Sequence, residues 1–363
     1  MPEVLVLNVS KRYGDIVALD RVNLRVHDGE YFCIIGPSGC GKSTLLKVIA
    51  GIVRQDEGDI YIDGELVNNV PIEERGIGLM FQEIYLFPHM NVWDNVVYSP
   101  SVRALDIAEV SEIGRELIDT LNLSFRRRNF PEELSLGLQQ KVALARALAS
   151  GANLLLLDEP LGSIDPRSAI ELRFELRKLI KDLRLTAIHV THNQEEAMLI
   201  ADRVAILRKG RVVQIGTPEQ LYFYPQDLFV ARFVGGESNF LVGKIIGEEE
   251  NLKLVDIDGL VVRCYSKYGL NERVVLTIRP EMVFISKRKL GVNSFKATIV
   301  ERSFLGKYFR YVVKLENGME LVARTSPALA LDRGDEIFIS LHEDRITVFK
   351  YPSEGLDKAI AYE

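Results

Sequence analysis

Over residues 4–235, short apolar runs alternate with segments in which apolar residues recur at helical spacing. The apolar runs at residues 22–26 and 31–35 are bounded by polar turns and predict strands, whereas residues 170–183 predict an amphipathic helix. Residues 102–128 show helical spacing without a strand pattern, so they predict a helical insert. Strands that alternate with helices are typical of an α/β fold with a largely parallel central sheet.

The rest of the chain has a different pattern, with short apolar runs separated by Gly, Asn and Asp, and this pattern predicts an all-β domain. We therefore divide the chain into an α/β domain at residues 1–235, with a helical insert at about 83–150, and an all-β domain at residues 236–363. Within the second domain, residues 274–285 and 337–348 both show a strand, a short polar turn and a second strand. This repeat favours two small, related barrels.

The composition fits a globular protein of two domains, with 363 residues, 47% hydrophobic and 26% charged. No apolar run approaches the roughly 18 residues that suggest a membrane-spanning helix. The N-terminal residues Met1-Pro2-Glu3 do not show the basic region followed by an apolar core that marks a secretory signal peptide. We therefore expect a cytoplasmic chain, and any attachment to a membrane must come from another subunit.

Charge and cysteine content exclude several classes of protein. The net charge of −6 gives no support for nucleic acid bound through a general basic surface. The three cysteines, Cys33, Cys40 and Cys264, are too few and too widely spaced for a disulfide framework or a zinc site.

A phosphate-binding loop is predicted at residues 36–44, Gly-Pro-Ser-Gly-Cys-Gly-Lys-Ser-Thr. It follows a predicted strand and opens a helical run, which is the setting that this motif requires. Its glycines allow backbone amides to curl around phosphates, and the helix N-terminus adds a positive pole. Lys42 is expected to reach the β and γ phosphates, and the Ser43 hydroxyl to bind Mg²⁺. The candidate nucleotide-binding residues of the loop are Gly36, Ser38, Gly39, Cys40, Gly41, Lys42, Ser43 and Thr44.

A pair of carboxylates follows a second apolar strand, at residues 154–157. Functional groups at the carboxyl ends of parallel strands lie where α/β sheets bind ligands. We expect Asp158 to hold Mg²⁺ through water and Glu159 to polarise the attacking water, the task in phosphoryl transfer that requires a base or a water-positioning group.

These motifs resemble those of the ABC ATPase family, and further motifs follow in that family's order across essentially the whole chain. The resemblance implies that Tyr13 stacks on adenine, that Gln82 senses Mg²⁺ and the attacking water, and that His192 contacts the γ-phosphate. In the family, the segment after the glutamine leads into the surface that contacts the membrane subunits. His189, three residues before His192 in a predicted strand, is interpreted as structural.

Residues 134–141, Leu-Ser-Leu-Gly-Leu-Gln-Gln-Lys, stand where the family has its signature Leu-Ser-Gly-Gly-Gln. In the family this segment completes the ATP site of the partner subunit, and Ser135 and Gly137 retain its serine and second glycine. Leu136 and Leu138 replace a glycine and a glutamine. Because Ser135 and Gly137 survive, we expect function, and because leucine restricts backbone angles that glycine allows and adds bulk, we expect a changed rate. Pairing with a different, intact ATPase subunit is the alternative. Residues 161–165 resemble the segment that links the two sites of the dimer.

The later part of the chain resembles importer subunits in particular. Residues 278–281, Ile-Arg-Pro-Glu, resemble the sequence that identifies the paired oligonucleotide-binding-type (TOBE) barrels, which regulate or stabilise the ATPase dimer. The resemblance implies an ATP-hydrolysing subunit of an ABC importer that uses ATP and Mg²⁺. Its implied partners are a second ATPase subunit, identical or different, two transmembrane permease subunits and, indirectly, a solute-binding protein. Importers of this group carry sugars, polyamines, ferric iron or oxyanions.

Two alternatives involve nucleic acid. An ABC ATPase that acts on nucleic acid or ribosomes would carry a long coiled-coil insertion or two ATPase halves, and the sequence shows neither. The all-β domain as a nucleic-acid module would need a basic groove with stacking aromatics, for which residues 307–311, Lys-Tyr-Phe-Arg-Tyr, are the one candidate. Alternating aromatics on a strand more often pack or face a partner barrel, so we expect no nucleic-acid partner.

Overall fold

A computed structural model of the chain describes residues 2–103, 106–162, 164 and 166–362, without the side chains of residues 166–168. It divides into two compact units, of which the first ends at Leu221 and the second is Tyr222–Tyr362. The predicted fold class, an α/β phosphate-loop domain followed by an all-β domain, is confirmed. None of the described helices is both long enough and apolar enough to cross a membrane.

The described part of the first unit contains two sheets and the helices that pack on them. Its strands are β1 (Val4–Tyr13), β2 (Ile16–Val26), β3 (Tyr31–Ile35), β4 (Glu57–Ile62), β5 (Glu65–Leu66), β6 (Ile77–Met80), β7 (Leu154–Asp158), β8 (Thr186–Val190), β9 (Arg203–Arg208) and β10 (Arg211–Gly216). Its helices are α1 (Lys42–Ala50), α2 (Val92–Val102), α3 (Ile107–Thr120), α4 (Leu136–Leu148), α5 (Pro166–Asp182) and α6 (Gln194–Ile200), and α7 (Pro218–Phe223) leads into the second unit. Short 3₁₀ helices are formed by Ile72–Glu74, Ser124–Arg126 and Pro131–Glu133.

A six-stranded sheet with the order β10-β9-β3-β8-β7-β6 forms the centre of this unit. The four strand pairs from β9 through β3, β8 and β7 to β6 are parallel, and β10 is antiparallel to β9. Every residue of β3, β7 and β8 is buried, because one sheet face packs on α1 and the other on α5 and α6. The carboxyl ends of these three neighbouring strands therefore lie side by side at one edge of the sheet.

The predicted helical insert lies between β6 and β7, where α2, α3 and α4 pack on one another. A separate four-stranded antiparallel sheet, with the order β2-β1-β4-β5, covers α1 from the other side. Asp63 and Gly64 form the hairpin turn that joins β4 to β5, and both residues have the positive φ that this tight turn requires.

The second unit consists mainly of two five-stranded antiparallel sheets, with the orders β13-β12-β11-β14-β20 and β15-β19-β16-β17-β18. Their strands are β11 (Asn239–Glu249), β12 (Leu252–Ile257), β13 (Leu260–Cys264), β14 (Arg273–Ile278), β15 (Val283–Ser286), β16 (Ser294–Phe304), β17 (Phe309–Leu315), β18 (Glu320–Thr325), β19 (Glu336–Leu341) and β20 (Thr347–Lys350). Helices α8 (Leu228–Phe233) and α9 (Leu356–Ile360) flank them, and Pro280–Met282 and Glu343–Arg345 form 3₁₀ helices.

The two predicted repeats exchange strands. Each is a strand, a 3₁₀ helix and a second strand: β14 and β15 in one repeat, β19 and β20 in the other. β14 pairs with β20, and β15 pairs with β19, so each sheet receives one strand from each repeat. Two of the candidate stacking aromatics lie in the core of this unit: Phe309 is buried, and Tyr311 is buried with its hydroxyl donating to the Leu329 carbonyl at 3.0 Å. Phe309 and Tyr311 cannot stack on bases from there, and Tyr308 is half-buried.

The second unit begins earlier than residue 236. Residues Leu228 and Ala231 of α8 pack on Val275 and Phe349 of the first five-stranded sheet. Arg279, the arginine of the Ile-Arg-Pro-Glu sequence, caps this helix by donating to the Ala231 carbonyl at 2.8 Å and the Val234 carbonyl at 2.5 Å. Burial lowers the pKa of Arg279 to about 10. This arginine therefore has a structural role that joins α8 to the all-β unit.

Candidate nucleotide-binding and hydrolysis site

The phosphate loop forms the turn between β3 and α1. Gly36 and Gly41 pack so closely on neighbouring backbone that a Cβ atom would lie 2.2 Å from the Leu207 oxygen at Gly36 and 2.3 Å from the Ala18 oxygen at Gly41. Gly39 and Gly41 have φ values of 75° and 107°, which L side chains rarely adopt. The three glycines are therefore required by the shape of the loop.

Lys42 and Ser43 begin helix α1, where unpaired backbone amides and the helix dipole favour an anion. The Lys42 ammonium donates to the carbonyls of Gly36 and Pro37, both at 2.9 Å. A phosphate oxygen would compete with these carbonyls for the same charge. Thr44 is partly buried in the first turn of α1, and Ser38 is exposed at the open side of the loop. Cys40 is buried beneath the loop, and burial raises the pKa of its thiol.

Two oxygens suitable for a divalent cation meet beside the loop. The Ser43 hydroxyl donates to Asp158 Oδ1 at 3.2 Å, from the end of β7. Asp158 is 4% exposed, and burial raises the pKa of its carboxyl, while the Ser43 hydrogen bond opposes this shift. A hydroxyl and a carboxylate are the hard oxygen ligands that Mg²⁺ prefers, with the rest of its shell supplied by phosphates and water. The residues present therefore fit Mg²⁺ together with a nucleotide.

Glu159 and His192 form a contact at the ends of β7 and β8. Glu159 Oε2 lies 2.7 Å from His192 Nδ1, and the histidine ring is 70% exposed. Glu159 has a left-handed backbone, with φ of 52°. Its N–H donates to the Val190 carbonyl at 2.9 Å, and its own carbonyl accepts from Gln140 Nε2 at 3.0 Å. The strand end is thus held from two sides while the carboxylate faces the open edge of the sheet.

Four predicted residues lie elsewhere on the first unit, and no hydrogen bond or ion pair joins them to the phosphate loop within the described ranges. Tyr13 is half exposed at the end of β1, in a hairpin whose second strand, β2, backs the loop through the Ala18 carbonyl. Gln82 is exposed just after β6. Ser135 and Gly137 form the beginning of α4.

The expectation that Leu136 restricts the backbone is wrong. Leu136 is the first residue of α4, and both it and Gly137 have the right-handed helical conformation that any L residue adopts. Its side chain is 58% exposed. Any effect of this substitution must therefore come from the bulk of the side chain. In the predicted linking segment, Ser163 and Asp165 lie outside the described residues.

Gln140 is a site residue that the sequence analysis missed. It is 2% exposed and holds the backbone of Glu159, although it lies only three residues after Gly137 in the same helix. The available signal was a polar side chain on the apolar face of a predicted helix, since a buried amide must find hydrogen-bond partners.

Comparisons with known proteins identify the family of this chain. A family model described as ABC transporter matches residues 19–162, and a model described as TOBE domain matches residues 276–349. The chain is 36% identical to the spermidine/putrescine import ATP-binding protein PotA of Thermotoga maritima, with 94% of this chain and 96% of the relative covered. It is 35% identical to the maltose/maltodextrin import ATP-binding protein MalK of Vibrio parahaemolyticus, with 96% and 95% covered.

The first unit also resembles a solved structure. The match is a dimeric post-hydrolysis state of the ATP-binding cassette MJ0796 bound to ADP and Pi. The TM-score is 0.55 at 32% identity, over 59% of this chain and 98% of that one.

A phosphate loop whose helix faces a carboxylate pair and a histidine on the neighbouring strand ends defines a P-loop ATPase. The full-length relatives narrow this class. The chain belongs to the ABC transporter family, and it is the ATP-binding and ATP-hydrolysing subunit of an importer. This result decides against an ATPase that acts on nucleic acid or ribosomes.

Proposed function

We propose that the residues at the edge of the sheet divide the work of hydrolysis as follows. The loop amides of residues 36–44 and the Lys42 ammonium bind the β and γ phosphates, and Tyr13 stacks on adenine. Glu159 polarises the attacking water, and His192 contacts the γ-phosphate. The observation that carries this proposal is the 2.7 Å contact between Glu159 and His192 beside the loop.

Ser43 and Asp158 are proposed to hold Mg²⁺, with Gln82 as a further ligand and sensor from the segment after β6. When bound, the cation supplies positive charge that neutralises the phosphates during transfer. A positive charge also favours the ionised form of Asp158, whose buried carboxyl otherwise holds its proton more tightly than an exposed one.

We propose that the complete site forms between two ATPase subunits. Ser135 and Gly137 lie at the start of α4 and are at least partly exposed, so they are available to a second subunit. The similar cassette MJ0796 is described as dimeric with ADP and Pi. The second subunit is either an identical chain or a different ATPase subunit.

The membrane partners are proposed to be two permease subunits, with the chain on the cytoplasmic face of the membrane. Two aromatic pairs lie around Gln82 and the beginning of α2: the rings of Phe81 and Tyr85 are 5.9 Å apart, and those of Phe87 and Tyr98 are 4.5 Å apart. Phe81, Tyr85 and Tyr98 are exposed. Arg146 of α4 lies 5.2 Å from the Phe87 ring. An exposed aromatic surface beside an arginine is typical of a protein interface.

The imported solute is proposed to belong to the group of sugars, polyamines, ferric iron and oxyanions. The relatives named for spermidine/putrescine and for maltose/maltodextrin are 36% and 35% identical, so identity does not favour one solute over another. We assign the choice of solute to the permease and solute-binding subunits. A ligand screen against the associated solute-binding protein tests this assignment.

The composite site can be tested by mixing two inactive variants, Lys42→Ala and Ser135→Ala. A mixed dimer contains one site with an intact loop and an intact signature. Half of the dimers in an equal mixture are mixed and each has one intact site, so the mixture should recover activity up to roughly a quarter of the wild-type rate, the value for uncoupled sites. Mixing Lys42→Ala with the double variant Lys42→Ala/Ser135→Ala is the control, and it should recover nothing. Dimers that form but show no recovery would contradict the composite site.

A further inference from the structure

A cluster of buried polar side chains lies behind the β8–α6 turn that carries His192. Its members are Tyr31 from β3, His189 from β8, Glu196 from α6 and Arg173 from α5. The Tyr31 hydroxyl is 3.0 Å from His189 Nδ1, and His189 Nε2 is 2.9 Å from Glu196 Oε1. Arg173 Nη2 is 3.5 Å from Glu196 Oε2. Tyr31 and His189 are fully buried, and Glu196 is 4% exposed.

The charge of Glu196 is central to this cluster. His189 Nε2 and Arg173 Nε have no well-aligned hydrogen bond within the described part of the chain, so the nearby carboxylate is what compensates them. Burial opposes ionisation of Glu196, but the contacts with His189, Arg173 and Thr191 outweigh it and hold its pKa below the usual range.

The side chains of His189 and Glu196 lie on the two sides of the turn that carries His192. Their 2.9 Å contact joins β8 to α6 across residues 191–193. The Asn193 side chain caps α6 by accepting from the Glu196 N–H at 3.1 Å, and the Asn193 N–H donates to the Thr191 hydroxyl at 3.0 Å. His192 itself projects into solvent, and its position therefore depends on this three-residue turn.

We propose that Glu196 and His189 are positioning residues for hydrolysis: their side-chain contact holds β8 and α6 together on either side of the turn that places His192 against Glu159. The proposal rests on the role assigned to His192 under the proposed function. His189 was interpreted from the sequence as structural. It is fully buried, and its proposed role is to hold Glu196 in place beside the turn.

A role in stability alone does not account for the cluster. Buried ionic groups of this kind are often less stabilising than apolar side chains of similar volume, because they must be desolvated. Here the ionic contact between His189 and Glu196 joins the end of β8 to α6, the two elements that flank the turn carrying His192.

The test uses full-length purified subunit and compares Glu196→Gln with Glu195→Gln, an exposed neighbour on the same helix that undergoes the same change of charge. We expect Glu196→Gln to lower kcat on the order of 10- to 100-fold, the scale of a misplaced catalytic group. The affinity for ATP should stay unchanged, and Glu195→Gln should behave as wild type. Loss of the contact with Glu159 should change the NMR chemical shifts of the His192 ring. These shifts should move toward the values seen in the Glu159→Gln variant in Glu196→Gln but not in Glu195→Gln.

Glu196→Gln removes the negative charge beside Arg173. A second pair of variants, at His189, leaves the contact between Arg173 and Glu196 intact. His189→Gln retains an amide donor near Nε2, whereas His189→Leu removes it. We expect His189→Gln to keep most of the turnover and His189→Leu to lose it at equal ATP affinity. Wild-type kcat per folded subunit in both Glu196→Gln and His189→Leu, with His192→Ala inactive, would overturn the positioning proposal. Wild-type turnover in His192→Ala would overturn the role of His192 and the positioning proposal with it.

Discussion

Replacing Glu159 by Gln separates nucleotide binding from hydrolysis. The substitution removes the charge that polarises water but retains the size of the side chain. Lys42 and Ser43, which face the phosphates and the cation, are not altered, and neither makes a described contact with the Glu159 side chain. We therefore expect ATP affinity within about twofold of wild type and a steep fall in turnover.

The structure allows the two effects to be compared in magnitude. Loss of a general base lowers the rate by 10²-fold or more, which corresponds to about 2.7 kcal/mol of barrier. The cost in stability should be smaller, because His192 is 70% exposed and water screens its contact with Glu159. Exposed pairs of this kind contribute roughly 0–1 kcal/mol. The left-handed turn at Glu159 is held by backbone groups and Gln140, which the substitution leaves in place.

The assay is steady-state ATPase activity at saturating ATP and Mg²⁺, with a nucleotide titration and a thermal melt of the same preparation. Glu195→Gln serves as the control for loss of a negative charge. The variant should also accumulate as an ATP-bound dimer on gel filtration. Turnover within twofold of wild type would refute the role of Glu159, and His192 would be the first alternative candidate.

Two further predictions concern the cation site and the signature. Burial raises the pKa of Asp158, so the folded state binds its proton more tightly than the unfolded chain, and stability falls as pH rises above the ordinary value of 3.8. Asp158→Asn should therefore melt higher than wild type at neutral pH, lose that advantage near pH 3.8 and lose Mg²⁺-dependent turnover; an unchanged melting temperature would contradict the burial argument. Leu136→Gly with Leu138→Gln should raise turnover at saturating ATP without changing the ATP affinity of dilute monomer, at a cost of up to about 1 kcal/mol for glycine in a helix. Equal or lower turnover would show that the leucines are competent.

The central strands could be predicted from sequence because they are buried on both faces. The runs at residues 31–35 and 186–190 are apolar apart from Thr186 and His189, and they match β3 (Tyr31–Ile35) and β8 (Thr186–Val190). A parallel strand covered by helices on both sides needs no alternation of polar and apolar residues. The phosphate loop was recognisable because its glycines are fixed by close packing and positive φ.

Other features depend on contacts between distant parts of the chain. The helical pattern of α8 shows that one face is buried, but it does not show that this face packs on Val275 and Phe349 of the all-β unit. The exchange of strands between the two repeats is a pairing choice that no local pattern encodes. Tyr31 and His189 are separated by 158 residues, so their contact could not be read from spacing.

Through Gln140, helix α4 connects the signature segment to Glu159 of the same subunit. The first turn of α4 presents Ser135 and Gly137, which are proposed to close on the nucleotide of a partner, while Gln140 one turn later holds the carbonyl of this subunit's own Glu159. A single short helix then touches two different nucleotide sites. Free-energy coupling through such an element is reciprocal. If closure of the dimer shifts Glu159 through α4, the state of Glu159 must in turn favour or oppose closure by the same free energy. The two nucleotide sites of the dimer should therefore not bind ATP independently.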